Sequence, residues 1–435
     1  MSARAGERAA LFIITEVLSG THFADAQLKA FSGLDGASIR AATAYSRMTI
    51  ENIIWVDHVL KSYIRMDKTR PYLKNILRLG TARCLFGHED SAAVNGSVEL
   101  AKELGKKGQP GFINGVLRRI LREKEAIMAF TPTNAKELGL RYSFVEYAAN
   151  QLVSMLGFED AKKLMQTKSS VTTIRINPLK TTADAALTEL KALGYEASLG
   201  QTKGMLTVEN GGGIAASAPF TEGRISLMGT ASRVASGFVG PNTKHIIDVC
   251  AAPGGKSCAM AEDHPDATVH AMDVSVLRLE QMAAQVKRLG LNNIALSPHD
   301  GQRIEETLVD SADLVLVDAP CSGLGTFLNR PEVKSQKPKQ DVRELHYIQG
   351  RILSASAKYV KKGGRLVYTT CTFTKDENES AIRSFLKREK DFRLVNFENP
   401  YLTESMKERY QNGQLRLWSH LDGTDCFFIA TMERT

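Results

Sequence analysis

The sequence predicts a multidomain chain: an all-α N-terminal domain, a small α+β linker domain and a C-terminal α/β domain whose mostly parallel sheet carries helices on both faces. Three observations point to it. Apolar residues recur every three or four positions through the first 125 residues, short alternating runs and a Gly-rich turn follow, and strand-like and helix-like segments alternate after about residue 240. A length of 435 residues accommodates this, at roughly 100–200 residues per domain. The boundaries are placed at 1–126, 127–240 and 241–435.

The helical reading rests on Leu11, Ile14, Val17 and Leu18, then Ile53, Val56, Val59 and Leu60, then Leu73, Ile76, Leu77 and Leu79. Ala92–Leu104 and Phe112–Leu121 continue it. The second of these carries Arg118, Arg119, Arg122 and Lys124 within a turn and a half, the charge pattern of a solvated face or of an RNA contact. Thr131-Pro132-Thr133 marks a change of texture. Val171–Asn177 alternates as a strand before Pro178, Ala185–Leu193 has helical spacing, and Gly211–Gly213 forms a turn. Strands are then predicted at 245–249, 268–272, 293–297, 313–317 and 365–370, with helices at 276–289 and 347–359 among the connections. Right-handed crossovers make such strands parallel, and ligands then lie beyond their carboxyl ends.

Composition narrows the function classes. Hydrophobic residues are 43% and charged residues 24%, ordinary globular usage that argues against a disordered chain. No apolar run approaches the roughly 18 residues of a membrane-spanning helix. Six cysteines without a Cys-x-x-Cys pair suggest neither a disulfide scaffold nor a metal site, and fit a reducing cytosol. A net charge of +8 favours a polyanionic partner such as RNA. No coiled-coil heptad appears, so a cytoplasmic monomer is expected.

The chemistry lies at the predicted strand ends. The first strand runs into Asp248-Val-Cys-Ala-Ala-Pro-Gly-Gly-Lys-Ser257. A phosphate loop needs a glycine where Cys250 stands, and no Gly-x-Gly-x-x-Gly is present, so a nucleoside without a pyrophosphate is the ligand class that survives. Asp273 ends the second strand, about 20 residues after the paired glycines, where a carboxylate accepts ribose hydroxyls. Asp300 and Asp318 end the third and fourth. Three carboxylates in this arrangement suit a cofactor with donors to satisfy and a positive sulfonium. Asp318-Ala-Pro-Cys321 and Thr369-Thr370-Cys371 follow neighbouring strands and bring two thiols to one crevice.

These motifs resemble the Sun/Nop2 family of RNA cytosine-C5 methyltransferases, and within it the branch that modifies small-subunit ribosomal RNA. The matching residues are Cys250 to Lys256, Asp273, Asp300-Gly301, Asp318 to Cys321 and Thr370-Cys371. Ala92 to Asn95, Val98 to Lys102 and Phe112 to Arg119 resemble the helical NusB-like domain fused to that branch, and Val171 to Lys180 resembles its linker domain.

The resemblance implies a Rossmann-like methyltransferase domain that uses S-adenosylmethionine, bound by Cys250, Ala251, Ala252, Pro253, Gly254, Gly255, Lys256, Asp273, Arg278, Asp300 and Asp318. Cytosine C5 is too weak a nucleophile to take a methyl group unaided, and a thiolate adding to C6 makes it enamine-like. Cys371 is implied as that nucleophile, Cys321 as the thiol assisting product release, Asp318 as the group holding the cytosine edge, and Lys256 as an orienting residue. Arg118, Arg119, Arg175, Arg330 and Lys334 are implied RNA contacts, the last two in a basic stretch with Lys337, Lys339 and Arg343. The substrate implied is 16S ribosomal RNA, free or in a small-subunit particle. Transfer RNA or another ribosomal site is the alternative target, and a non-catalytic RNA-binding or assembly factor the alternative class. The chain departs from the family pattern at Leu328-Asn329, Ser335, Met228-Gly229 and Cys426.

Overall fold

The computed structural model describes residues 2–20, 31, 33–104, 108–168, 171–209, 211–335 and 342–435. The chain forms two compact units, Met1–Gln166 with Asn329–Lys337, and Thr167–Leu328 with Pro338–Thr435.

The first unit is helical: α1 (Ser2–Leu18), α2 (Gly36–Glu51), α3 (Ile53–Leu60), α4 (Pro71–Phe86), α5 (Asp90–Leu104), α6 (Gln109–Arg122), α7 (Lys124–Met128), α8 (Ala135–Tyr142), α9 (Glu146–Leu156) and α10 (Phe158–Gln166). Local chemistry sets the starts. Asp35 accepts the Ala37 and Ser38 N–H groups at the head of α2, and Pro71 opens α4, where a missing N–H costs nothing. The apolar stripes read from the sequence meet in one core containing Ile14, Val17, Val56, Leu60, Ile76, Leu77 and Leu117. At Gly80 an added Cβ would lie 2.6 Å from both Leu117 Cδ1 and Ser97 Oγ, so only glycine lets α4 pack this closely against α5 and α6. None of the described helices is long and apolar enough to cross a membrane.

The first unit extends past the break expected at 127. Helical periodicity persists there, with Leu138, Ala148, Ala149, Leu152, Ala161 and Leu164 all buried, and Asn134 caps α8 by accepting the Glu137 N–H. A later segment, Pro331–Lys334, also belongs to this unit. The Val145 N–H donates to Lys334 O at 2.7 Å, and Lys334 Nζ donates to Tyr142 O at 3.1 Å and sits 5.2 Å from the Phe144 ring centre.

The second unit begins with a four-stranded antiparallel sheet, order β2-β3-β1-β4, from β1 (Val171–Ile176), β2 (Glu196–Leu199), β3 (Met205–Glu209) and β4 (Ile225–Leu227). Helix α11 (Ala183–Ala192) covers it through Ala186 and Leu190, which pack with Ile174, Leu206 and Val208. Short helices α12 (Ala218–Thr221) and α13 (Thr230–Ala235) lead into the large sheet.

That sheet contains β5 (His245–Asp248), β6 (Thr268–Asp273), β7 (Ile294–Pro298), β8 (Ala312–Asp318), β9 (Val360–Thr370), β10 (Phe392–Leu394), β11 (Gln414–Leu417) and β12 (Phe427–Arg434). The order is β10-β12-β9-β8-β5-β6-β7, with β11 on β12. Strands β5 to β9 pair in parallel, as expected, through α14 (Gly255–Asp263), α15 (Val276–Leu289) and α16 (Val342–Ala357). Side chains alternate between two cores. Ile246, Leu314, Leu316 and Val367 face one side, with Cys258 and Met260 of α14. Ile247, Val315, Val317 and Leu366 face the other, with Ile352 of α16 and Phe385 of α17 (Glu379–Arg388). The sequence reading did not identify β12, which runs antiparallel beside β9. Strand β5 lies between β6 and β8, so the crossovers diverge there and open a crevice at the carboxyl ends of the strands.

Candidate active site

The glycine turn after β5 brings backbone to the crevice. Gly254 has φ +101°, and a Cβ on it would meet Met282 Cγ of α15 at 2.6 Å, whereas a Cβ on Gly255 would meet nothing within 4 Å. The first glycine therefore satisfies a left-handed turn and a close contact, and the second leaves open space beside the backbone. Cys250 of this turn has its thiol pushed well above the ordinary range, burial being the foremost cause, so it packs as a small apolar side chain. Ala251 and Ala252 are buried.

Asp273, at the end of β6, is held rigidly. Its Oδ2 accepts the Ala252 N–H at 3.1 Å and its Oδ1 the Ser275 N–H at 2.9 Å, and Arg278 NH1 lies 3.4 Å from Oδ2. Arg278 also donates to Ala252 O, so one arginine ties the turn to the carboxylate. Each carboxylate oxygen retains capacity for another donor. The exposed Val274, Val276 and Leu277 stand beside it, an apolar surface next to a hydroxyl acceptor. The Asp300 carboxylate follows β7 and accepts the Gln302 N–H at 3.1 Å. Acceptors at adjacent strand ends, an apolar patch and an open glycine backbone fit a nucleoside with a cationic substituent.

The two thiols converge as expected. Cys321 Sγ and Cys371 Sγ are 3.3 Å apart, because β8 and β9 pair in parallel with Asp318 opposite Thr369 and each cysteine follows closely in its own chain segment. Asp318 binds both neighbours: Lys256 Nζ donates to its Oδ2 at 2.5 Å and Thr369 Oγ1 to its Oδ1 at 3.0 Å. Burial pulls the Lys256 amine down, but the charge and hydrogen bond of Asp318 outweigh it, and the net shift is upward. Lys256 is thus a held cation, also 5.3 Å from the Phe427 ring centre, and not a base. The Cys321 thiol is pushed well above its ordinary range, first by its contact with Cys371 and then by burial.

Several residues in this region escaped the sequence reading. Glu377 is fully buried and accepts hydrogen bonds from Ser322, Thr374 and Gln349. Asn378 bonds to Thr370 and Thr372 on either side of Cys371. Their only signal was Asp-Glu-Asn-Glu at 376–379, shortly past the cysteine strand, a run that resembles an exposed turn. Cys426, where the chain departs from the family pattern, is buried with its thiol 3.3 Å from Ser419 Oγ and pushed up to about 12, mainly by burial.

The expected RNA contacts divide. Arg118 and Arg119 are exposed on α6, opposite its buried Ile113, Val116, Leu117 and Ile120. Arg119 also pairs with Glu123 at 3.0 Å and lies over Tyr63. Arg330 is exposed. Arg175 is not at an RNA face: it is buried, with NH2 2.9 Å from Glu262 Oε1 and NH1 donating to Gly255 O at 3.1 Å. It projects from the side of β1 that meets α14, and an ion pair closes there. Lys334 is likewise buried, its amine committed to Tyr142 O. Lys337 and Lys339 lie outside the described residues. Among the described residues no cluster of His, Cys, Asp or Glu is arranged to hold a metal ion.

Comparisons with known proteins identify the family and the fold. A family model described as 16S rRNA methyltransferase RsmB/F matches residues 239–433, and the NusB family model matches residues 7–122. The chain is 32% identical over 394 residues to a probable ribosomal RNA small subunit methyltransferase B of Bacillus subtilis, covering 89% of this chain and 88% of the relative. It is 30% identical over 357 residues to the ribosomal RNA small subunit methyltransferase B of Citrobacter koseri, covering 81% and 82%. The crystal structure of PH0851 superposes with a TM-score of 0.80 at 25% identity over 99% of each chain. That of NSun6 from Pyrococcus horikoshii with SFG, at 20% identity and TM-score 0.56, shares the fold over 67% of this chain and 98% of that one. With both a NusB and a methyltransferase region matched in this chain and a relative 32% identical over 89% of it, the chain belongs to the RsmB/F family of 16S rRNA methyltransferases.

Proposed function

We propose that this chain methylates C5 of a cytosine in small-subunit ribosomal RNA through a covalent bond between Cys371 Sγ and C6 of the base. The observation that carries the reading is the pair of thiols 3.3 Å apart beside the Lys256–Asp318 ion pair. The 250–256 turn with Asp273, Arg278 and Asp300 would hold S-adenosylmethionine, which when bound would supply the electrophilic methyl group. Asp318 accepts from the exocyclic amine of the cytosine, and the Lys256 cation offsets charge that develops as the thiolate adds. Cys371 gives its proton to solvent, its thiolate forms the S–C6 bond, and the electron pair displaced from the C5–C6 double bond makes C5 the nucleophile that takes the methyl group, S-adenosylhomocysteine being the leaving group. After methylation Cys321 assists loss of the C5 proton to solvent, the C5–H electron pair re-forms the C5–C6 double bond, and the S–C6 bond breaks to return the Cys371 thiolate. The target base has to leave its stack to reach these groups, at a cost of a few kcal/mol unless the RNA is already single-stranded. The exposed Arg118, Arg119 and Arg330 are proposed to bind the RNA backbone, where their charge offsets that cost.

The test is transfer of labelled methyl to unmodified 16S RNA and to small subunits, with Cys371→Ala and Cys321→Ala in parallel. The expected result is 5-methylcytosine from the wild type, none from Cys371→Ala, and a covalent protein–RNA adduct that persists with Cys321→Ala. A wild type that binds S-adenosylhomocysteine and RNA but transfers nothing to either substrate would overturn the reading.

A further inference from the structure

A buried carboxylate outside the reacting set links the two cysteine loops. Glu377 Oε1 accepts the Ser322 N–H at 2.7 Å and Gln349 Nε2 at 3.2 Å, and Oε2 accepts the Ser322 and Thr374 hydroxyls, each at 2.7 Å. Gln349, from α16, also donates to Pro320 O at 2.9 Å. The residues before and after Cys321 are thus fixed by Gln349 and Glu377. The same carboxylate grips the loop after Cys371 through Thr374, and Ser322 Oγ lies 2.8 Å from Thr372 Oγ1. The adjacent Asn378 binds Thr372 O at 3.0 Å and Thr370 Oγ1 at 2.5 Å, so the Cys371 segment is braced independently of Glu377. The arrangement is asymmetric. Asn378 braces both sides of Cys371, whereas Pro320 and Ser322, the residues flanking Cys321, are held by Gln349 and Glu377, with the Ala319 N–H bond to Thr369 O and the Gly325 N–H bond to Cys371 O further out on the loop.

We propose that Glu377 is a positioning residue that sets the Cys321 thiol against Cys371, and that its loss impairs release of the covalent product more than methyl transfer. The proposal rests on the roles assigned to the two thiols above. A buried anion accepting four hydrogen bonds fixes a loop more firmly than neutral partners do, because charge-assisted bonds are shorter and stronger. A displacement of about 1 Å in a reacting group costs on the order of 100-fold in rate.

The experiment compares Glu377→Ala, Glu377→Gln and Cys321→Ala in the full chain, measuring single-turnover methyl transfer, steady-state turnover and adduct on denaturing gels. For Glu377→Ala the expected result is turnover lowered about 100-fold, single-turnover transfer lowered less than about 10-fold, and adduct accumulating as with Cys321→Ala. Glu377→Gln keeps an acceptor for the Ser322 N–H and is expected to recover most of the turnover. If Glu377→Ala does not fold, Gln349→Leu takes its place, with adduct accumulation again expected. Wild-type turnover, or equal loss of transfer and adduct in a folded variant, overturns the proposal. If Cys321→Ala accumulates adduct and the Glu377 and Gln349 variants do not, the positioning role alone falls. If Cys321→Ala forms none, the thiol assignment falls first.

Discussion

Replacing Asp248 by asparagine is expected to flatten the pH dependence of stability of the methyltransferase unit. Asp248 ends β5 fully buried, its Oδ2 accepts the Ser257 hydroxyl at 2.6 Å, and its Oδ1 makes no hydrogen bond. Burial, the foremost cause, pushes its carboxyl from 3.8 up to about 7. The sign follows from linkage. A carboxyl whose folded value is raised binds more protons folded than unfolded, so its contribution is complete below the unfolded value and is lost as pH rises through the folded one. The window runs from about 4 to about 7. At about 1.4 kcal/mol per pH unit, the roughly two units between pH 5 and 7 amount to about 2–3 kcal/mol. An asparagine side chain at this position has the same shape and bears no titrating proton, so the Asp248→Asn curve should lack this slope. Glu262, raised to about 7 mainly by burial, titrates in the same window but is common to both proteins and cancels in the difference. Urea unfolding followed by Trp418, buried in this unit, with the other tryptophan changed as Trp55→Phe, isolates the effect. Parallel wild-type and Asp248→Asn curves between about pH 5 and 7 would refute the argument.

Two further perturbations follow from the same packing. Arg175→Ala strands Glu262 in the interior and is expected to destabilise the second unit by about 3–5 kcal/mol in urea unfolding, with Arg175→Met/Glu262→Met recovering most of the loss; an effect below about 1 kcal/mol would mean that the pair is not buried in solution. Gly254→Ala forces a side chain into a left-handed turn against Met282 and is expected to cost about 1–2 kcal/mol from the turn alone, with weaker S-adenosylhomocysteine binding by calorimetry; unchanged affinity would show that the turn does not shape the cofactor site.

Much of the architecture and the chemistry could be read from the amino acids in order, for a physical reason. Hydrophobic periodicity and turn residues act over a few positions, so helices α1, α3, α4, α5 and α6 and strands β5 to β9 announced themselves. Motif residues at strand ends inherit their convergence from the parallel pairing rule, and Cys321 and Cys371 meet as that rule requires. The family resemblance added roles to positions already singled out. What periodicity does not encode is which face of an element another element covers. Arg175 and Lys334 look like RNA contacts because they are charged, and only packing buries one against Glu262 and ties the other to Tyr142. The continuation of the helical unit past residue 127, and the insertion of β12 beside β9, are likewise decided by distant surfaces meeting.

Glu377 shows the division most clearly. In the sequence it is one acid in an Asp-Glu-Asn-Glu run, the composition of an exposed turn. In the fold it is fully buried with four hydrogen bonds from the cysteine loops and α16. The sequence by itself determined which groups could react and along which strands they arrive, because those depend on residue type and local period. Only the tertiary structure decided which charges leave solvent and what they then hold in place, because the cost of burying a charge is met by partners that are remote in the chain.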